Sequence, residues 1–90
     1  MNKYTSIRQT GKLDTTVSGK LLYMALMDIA DDKSEITIPQ KRVGKLLGIH
    51  KSTVSKNLRR LEQIGVLQIF STFNECGGRM PNRYVIREIR

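Results

Sequence analysis

Seven side chains between positions 51 and 60 could do chemistry together: Lys51, Ser52, Thr53, Ser55, Lys56, Arg59 and Arg60. All are hydrogen-bond donors, Lys51, Lys56, Arg59 and Arg60 are cations at neutral pH, and no carboxylate interrupts the set before Glu62. Such a set suits the anionic oxygens of a polyanion and the acceptor-rich edges of nucleic-acid bases. Upstream, Lys41, Arg42 and Lys45 extend it, so that Ile36 to Leu61 holds seven basic residues and no acid. The preceding stretch instead concentrates Asp28, Asp31, Asp32 and Glu35, so charge is segregated along the chain. Near the C-terminus, Arg79 and Arg83 flank "MPN" and offer a second basic patch.

Other chemistries lack their parts. Cys76 is the only cysteine and His50 the only histidine, which excludes an intrachain disulfide and a zinc-type ligand set. No nucleophile, base and orienting acid form a usable set, no glycine loop has phosphate-cradling form, and no carboxylate pair has a credible site. The chain is therefore expected not to be an enzyme and to need no cofactor, metal or small-molecule ligand. Its longest apolar run, "LLYMALM" at 21 to 27, is far short of the ~20 residues that span a bilayer, and "MNKYTSIRQTGK" lacks the apolar centre of a signal peptide. A cytoplasmic location without membrane contact is the expectation. Ninety residues suffice for one modest core. A net charge of +8 alongside 39% hydrophobic residues is too apolar for a disordered basic tail, which points to a folded domain with a polyanionic partner.

Presenting the basic set on one side requires a helix. With Val54 at zero on a wheel of about 100° per residue, Leu58 falls near 40° and Leu61 near 340°, whereas Ser52, Lys56, Arg59 and Gln63 fall roughly between 140° and 200°. The spacing predicts a helix over about 51–64 with a core side and a polar, basic side. Before it, a helix from Gln40 buries Val43, Leu46 and Leu47, offers Gly44 as a point of close approach and stops at Gly48. Only Gly48, Ile49 and His50 join the two, with Ile49 turned into the core. An earlier helix, "SGKLLYMALMDIADD", has Ser18 as a candidate cap and Leu21, Leu22, Ala25, Leu26 and Ile29 as its core face. Tyr23, Met24 and Met27 lie off that face, so a dimer partner or the N-terminal arm is expected to cover a second side.

"ITI" at 36 to 38, ended by Pro39, reads as a brief edge strand or an extended connection. After Gly65 the period changes to two. "LQIFSTF" (67–73), a loop "NECGGRMPN" (74–82) and "RYVIREI" (83–89) form a β-hairpin, with Leu67, Ile69, Tyr84 and Ile86 inward. Residues 1–16 mix Lys3, Arg8 and Lys12 with Tyr4, Ile7 and Leu13, and their Thr, Ser and Gly content argues against helix. They read as a basic arm or short extra strand ahead of a domain at 17–90.

This order of elements, mostly α with a small antiparallel hairpin, is that of a winged helix-turn-helix. "PQKRVGKLLGIHKSTVSKNLRRLEQIGVLQI" at 39 to 69 resembles that superfamily through Gly44, Gly48, Thr53, Val54, Leu58, Leu61, Gly65 and Val66. The likeness extends to MarR-type and GntR-type regulators. The first helix and "RMPNRYVI" resemble the winged-helix domains of phage and plasmid replication initiators. Two positions depart from the pattern: His50 stands where Ser, Thr or Asp usually caps the reading helix, and Pro39 where a Ser or Thr cap is common.

The resemblance implies a sequence-specific double-stranded DNA-binding protein, with the helix at about 51–64 in the major groove and a wing at about 67–89 on the backbone or minor groove. Ser52, Ser55, Lys56 and Arg59 are expected to face bases, and Lys41, Arg42, Lys51, Thr53 and Arg60 to lie nearer phosphates. Arg79 and Arg83 would serve the wing. Transcriptional regulation is the leading role. The alternatives are an accessory part in plasmid or phage replication or conjugative transfer, or a winged helix used for protein or RNA contacts, the last on account of Phe70 and Phe73. A homodimer is expected, with its contact at Tyr23, Met24 and Met27.

Overall fold

The computed structural model describes residues 5–87, with side chains from Arg8 onward; Lys3, Tyr4, the Ile7 side chain and the end of the expected last strand lie outside the described residues. Helix α4 (Lys51–Ile64) occupies the range its periodicity predicts, and Val54, Leu58 and Leu61 form its buried row. Gly65, at φ 95°, ends it with a left-handed residue whose N–H bonds back to the last carbonyls. Helix α3 (Gln40–Leu47) ends the same way at Gly48, φ 67°. A Cβ on Gly44 would stand 2.8 Å from the Ile49 carbonyl oxygen and 3.4 Å from Val54 Cγ2, so only glycine lets α3 and α4 close this far. Leu46 corrects the expected face of α3: it is 67% exposed, and Val43, Gly44 and the half-buried Leu47 make the contact instead.

Helix α2 (Val17–Ile29) starts at Thr16 rather than Ser18, with the Thr16 side chain accepting the Gly19 N–H. Its buried arc is Gly19, Leu22, Tyr23 and Leu26. The expected core face was therefore rotated: Leu21 and Ile29 are exposed, whereas Tyr23 is fully buried and donates its hydroxyl to the Arg87 carbonyl at 3.2 Å. A helix apolar on every side carries no periodic signal to choose between faces, and packing chooses. The place of close approach is Gly19, where a Cβ would meet Thr15 Oγ1 at 2.7 Å and Asn57 Oδ1 at 3.1 Å.

Residues Thr5–Gly11 form helix α1, where composition argued against one. Helix α1 packs on α2, and Thr10 and Leu13 are buried, so the arm is part of the folded domain. Weak intrinsic propensity yields here to tertiary packing, as it does for most short helices. Three antiparallel strands complete the fold: β1 (Glu35–Thr37), β2 (Leu67–Phe73) and β3 (Arg79–Ile86), in the order β1-β3-β2. The register sets Tyr84 between Ile36 and Ile69, and Ile86 opposite Leu67. Tyr84 and Leu67 are buried, with Ile69 and Ile86 packed against the same core, as the alternation predicts. The architecture is that of an α+β winged helix.

Candidate nucleic-acid interface

Because Val54, Leu58 and Leu61 fasten one side of α4, its opposite side must face solvent. Ser52, Ser55, Lys56, Arg59, Arg60 and Gln63 line one shallow depression there, a cluster with no carboxylate. Lys51, Lys56, Arg59 and Arg60 are exposed, as are Lys41 and Arg42 on the first turn of α3. None of these six cations has a carboxylate within salt-bridge distance among the described residues, which leaves them open to an external anion.

The N-terminus of α4 is capped by His50 in spite of its type. Nδ1 accepts the Ser52 N–H at 3.2 Å and lies 2.8 Å from the Ser52 hydroxyl, so the imidazole supplies the acceptor that Ser, Thr or Asp would otherwise provide. Both bonds together need an unprotonated Nδ1, and they orient the Ser52 side chain. Thr53 is half-buried, with its carbonyl accepting from Asn57 Nδ2 at 2.8 Å. Asn57 is the residue the periodicity missed. It is buried, and its place three residues after Val54, at the edge of the apolar arc, was the signal available.

Only Gly65 and Val66 separate α4 from the hairpin. Across that bend the Glu62 carboxylate accepts the Ile69 N–H at 3.0 Å, so the one acid in the second half of α4 faces the sheet edge and not the basic cluster.

The wing differs from expectation in two ways. Strand β3 begins at Arg79, four residues early, so the tip is the five-residue "NECGG" of 74–78 and contains Glu75 and no base. "MPN" lies within the strand. Arg83, paired across from Phe70, is therefore well behind the tip. Its guanidinium bonds Glu35 at 2.6 Å, a contact that the pairing of β1 with β3 brings about, and stacks over the Phe70 ring of β2 at 4.7 Å. Arg79, opposite Phe73, is exposed beside the tip.

A family model described as a helix-turn-helix domain matches residues 16–67, more than half of the chain. The chain belongs to the helix-turn-helix domain family. Within that family the matched span runs from the Thr16 cap through α4 to the first residue of the hairpin. The helix-turn-helix chain is also similar to a solved structure described as "Possible transcriptional regulator from Methanosarcina mazei Go1", with a TM-score of 0.62 and 21% identity over 90% of this chain and 62% of that one. That likeness shows the fold, and this chain spans less than two thirds of the other's length. No curated protein matches. The family match together with the three-stranded sheet makes this a winged helix-turn-helix DNA-binding domain.

Proposed function

We propose that this domain reads a specific DNA site with α4 in the major groove and the β2–β3 wing on the neighbouring backbone or minor groove, and that it regulates transcription. One observation carries the reading: an acid-free row of donors on α4, from Ser52 to Gln63, faces outward because the opposite side of the same helix is buried. The major groove is wide enough to admit such a helix. Ser52, Ser55, Lys56 and Arg59 serve as the base-facing residues in this reading, and Lys41, Arg42, Lys51, Thr53 and Arg60 as phosphate contacts. Arg79 is the wing's contact. Arg83, held by Glu35 and Phe70, stiffens the wing and adds only its long-range field. The description of the similar solved structure as a possible transcriptional regulator supports the regulatory role.

The domain acts in the cytoplasm, as a homodimer. Tyr23 is withdrawn from the contact by its complete burial; the exposed row Val17, Leu21 and Met24 on α2 takes its place. Dimerisation would set two α4 helices about one DNA turn, ~34 Å, apart. Selection of bound fragments from random DNA tests the reading. A single inverted repeat is the expected product, several direct repeats would instead favour an accessory role in replication or transfer, and no enrichment would remove sequence-specific binding altogether.

A further inference from the structure

The hairpin carries an aromatic ring that the fold does not use. Phe73, the last residue of β2, is 62% exposed. Phe70 is also partly exposed, but the Arg83 guanidinium covers its ring; no such contact covers Phe73 among the described residues. Burial alternates along β2 from Leu67 to Phe70, with Leu67 and Ile69 toward the core, and loses that alternation at Ser71 and Thr72, so Phe73 lies beyond the part of the strand that the core covers. The irregularity falls in β3, which takes three steps between Arg83 and Met80 where β2 takes two between Phe70 and Thr72. Thr72 Oγ1 staples that bulge by donating to the Pro81 carbonyl at 2.7 Å.

Beyond the bulge the tip is held by Asn74. Its Oδ1 accepts from the N–H groups of Cys76 and Gly78 at 3.0 and 2.7 Å, and its own N–H donates to the Gly78 carbonyl at 2.8 Å. Phe73 is thus an uncovered ring on a braced arm, with the Arg79 cation as its cross-strand partner. A cation that holds phosphate beside an apolar group that enters the base stack is the arrangement by which minor-groove wedges kink a duplex.

We infer that Phe73 is such a wedge: on bound duplex DNA it inserts at a base step and unstacks it, while Arg79 anchors the adjacent phosphate. The inference rests on the duplex-binding reading above and adds a preferred ligand, a step that is already weakly stacked or mispaired. Extruding or unstacking a base costs least where pairing is already broken, so the wedge should favour such a step.

The test uses the full chain at low salt and three probes of one sequence: a fully paired short duplex, the same duplex with a single central mismatch beside a 2-aminopurine, and the corresponding single-stranded oligonucleotide. Binding is read by anisotropy and unstacking by 2-aminopurine fluorescence. The parent is expected to prefer the mismatched duplex by about tenfold or more and to brighten the probe. Phe73→Ala should melt as the parent does and bind both duplexes alike, whereas Phe73→Leu, which keeps an apolar wedge, should retain most of the preference. Parent binding to both duplexes alike, or a preference that survives in Phe73→Ala, overturns the wedge and leaves DNA binding standing. Tighter, Phe73-dependent binding to the single-stranded oligonucleotide than to either duplex overturns it in favour of a stacking surface for unpaired strands. Binding to none of the three removes the DNA-binding reading itself.

Discussion

The Thr16 hydroxyl joins two helices: it accepts the Gly19 N–H at 3.1 Å and donates to Asn57 Oδ1 at 3.0 Å, so the cap of α2 is also its link to α4. Asn57 passes the link on, donating from Nδ2 to the Thr53 carbonyl one turn earlier. A buried amide on the reading helix is thereby keyed to the start of α2, with Gly19 leaving the space for it.

Thr16→Ala should cost about 1 to 3 kcal/mol, combining a lost cap with an amide oxygen left without its donor. Asn57→Ala should cost a similar amount, on the order of 1 to 3 kcal/mol, and the double variant less than the sum. Urea denaturation of the three variants checks this; strictly additive costs would show that the two groups do not share a bond.

Val54 and Lys56 lie two residues apart on opposite sides of α4, and their variants should fail differently. Val54→Ala should lower stability by on the order of 1 to 3 kcal/mol, with normal binding by the fraction that folds. Lys56→Ala should change stability by no more than about 0.5 kcal/mol. Its affinity should drop by about 1 to 3 kcal/mol on the selected site and less on random DNA if Lys56 reads a guanine edge; an equal drop on both, with a smaller salt slope, would mark a phosphate contact. Thermal melting and anisotropy separate these outcomes, and unchanged affinity would move the main contact to the wing.

His50→Asp should act with opposite signs on the two properties. A carboxylate is the better cap and favours the positive end of α4, so stability should rise by roughly 0.3 to 1 kcal/mol. The same charge would repel phosphates, so DNA affinity should fall. Melting and binding measured on one preparation would show both shifts; a variant that binds DNA more tightly would place His50 away from the backbone.

What the sequence made legible, and what it did not, divides along physical lines. The ranges of α4 and β2 follow from local pattern, because one face of each is apolar and the other polar, and Gly48 and Gly65 mark the ends. The face of α2 was not legible, since Leu21, Met24 and Tyr23 all present apolar surface, and Tyr23 turns inward where its hydroxyl reaches the Arg87 carbonyl. Nor was α1, whose support comes from α2 and not from its own propensities. The outward row of α4 could be read without knowing the fold. The fate of Arg83 depends on Glu35, 48 residues away in sequence, and no local pattern carries that.

Tyr84 is expected to make the fold less stable at alkaline pH. Burial raises its phenol above the ordinary value of 10.0, with Asn82 and Arg79 close enough to oppose the shift but not to give the hydroxyl a well-formed hydrogen bond. The unfolded chain therefore releases this proton first as pH rises. The contribution to stability is complete below about pH 10 and is lost above it. Denaturant titrations of the parent and Tyr84→Phe at neutral pH and above pH ~10 should converge on the phenylalanine variant losing less at the alkaline end; equal losses would assign the effect to other groups.

Salt should weaken binding steeply. A domain making ~6 to 10 phosphate contacts loses about 10³ to 10⁵ in affinity between roughly 50 and 200 mM salt. A titration with a flat response would exclude the cations of α3 and α4 as the source of affinity.

The bond from Ile69 to Glu62, with only Gly65 and Val66 between helix and hairpin, leaves α4 and the wing little freedom to move independently. Two prongs at a fixed separation act as a caliper. A duplex whose groove width and twist already match the gap can be gripped as it stands, while any other must be bent or overwound to fit, at an energy set by its own stiffness. Discrimination would then extend to base pairs that no side chain touches. Lengthening the Gly65–Val66 joint would loosen the caliper while sparing every contact residue.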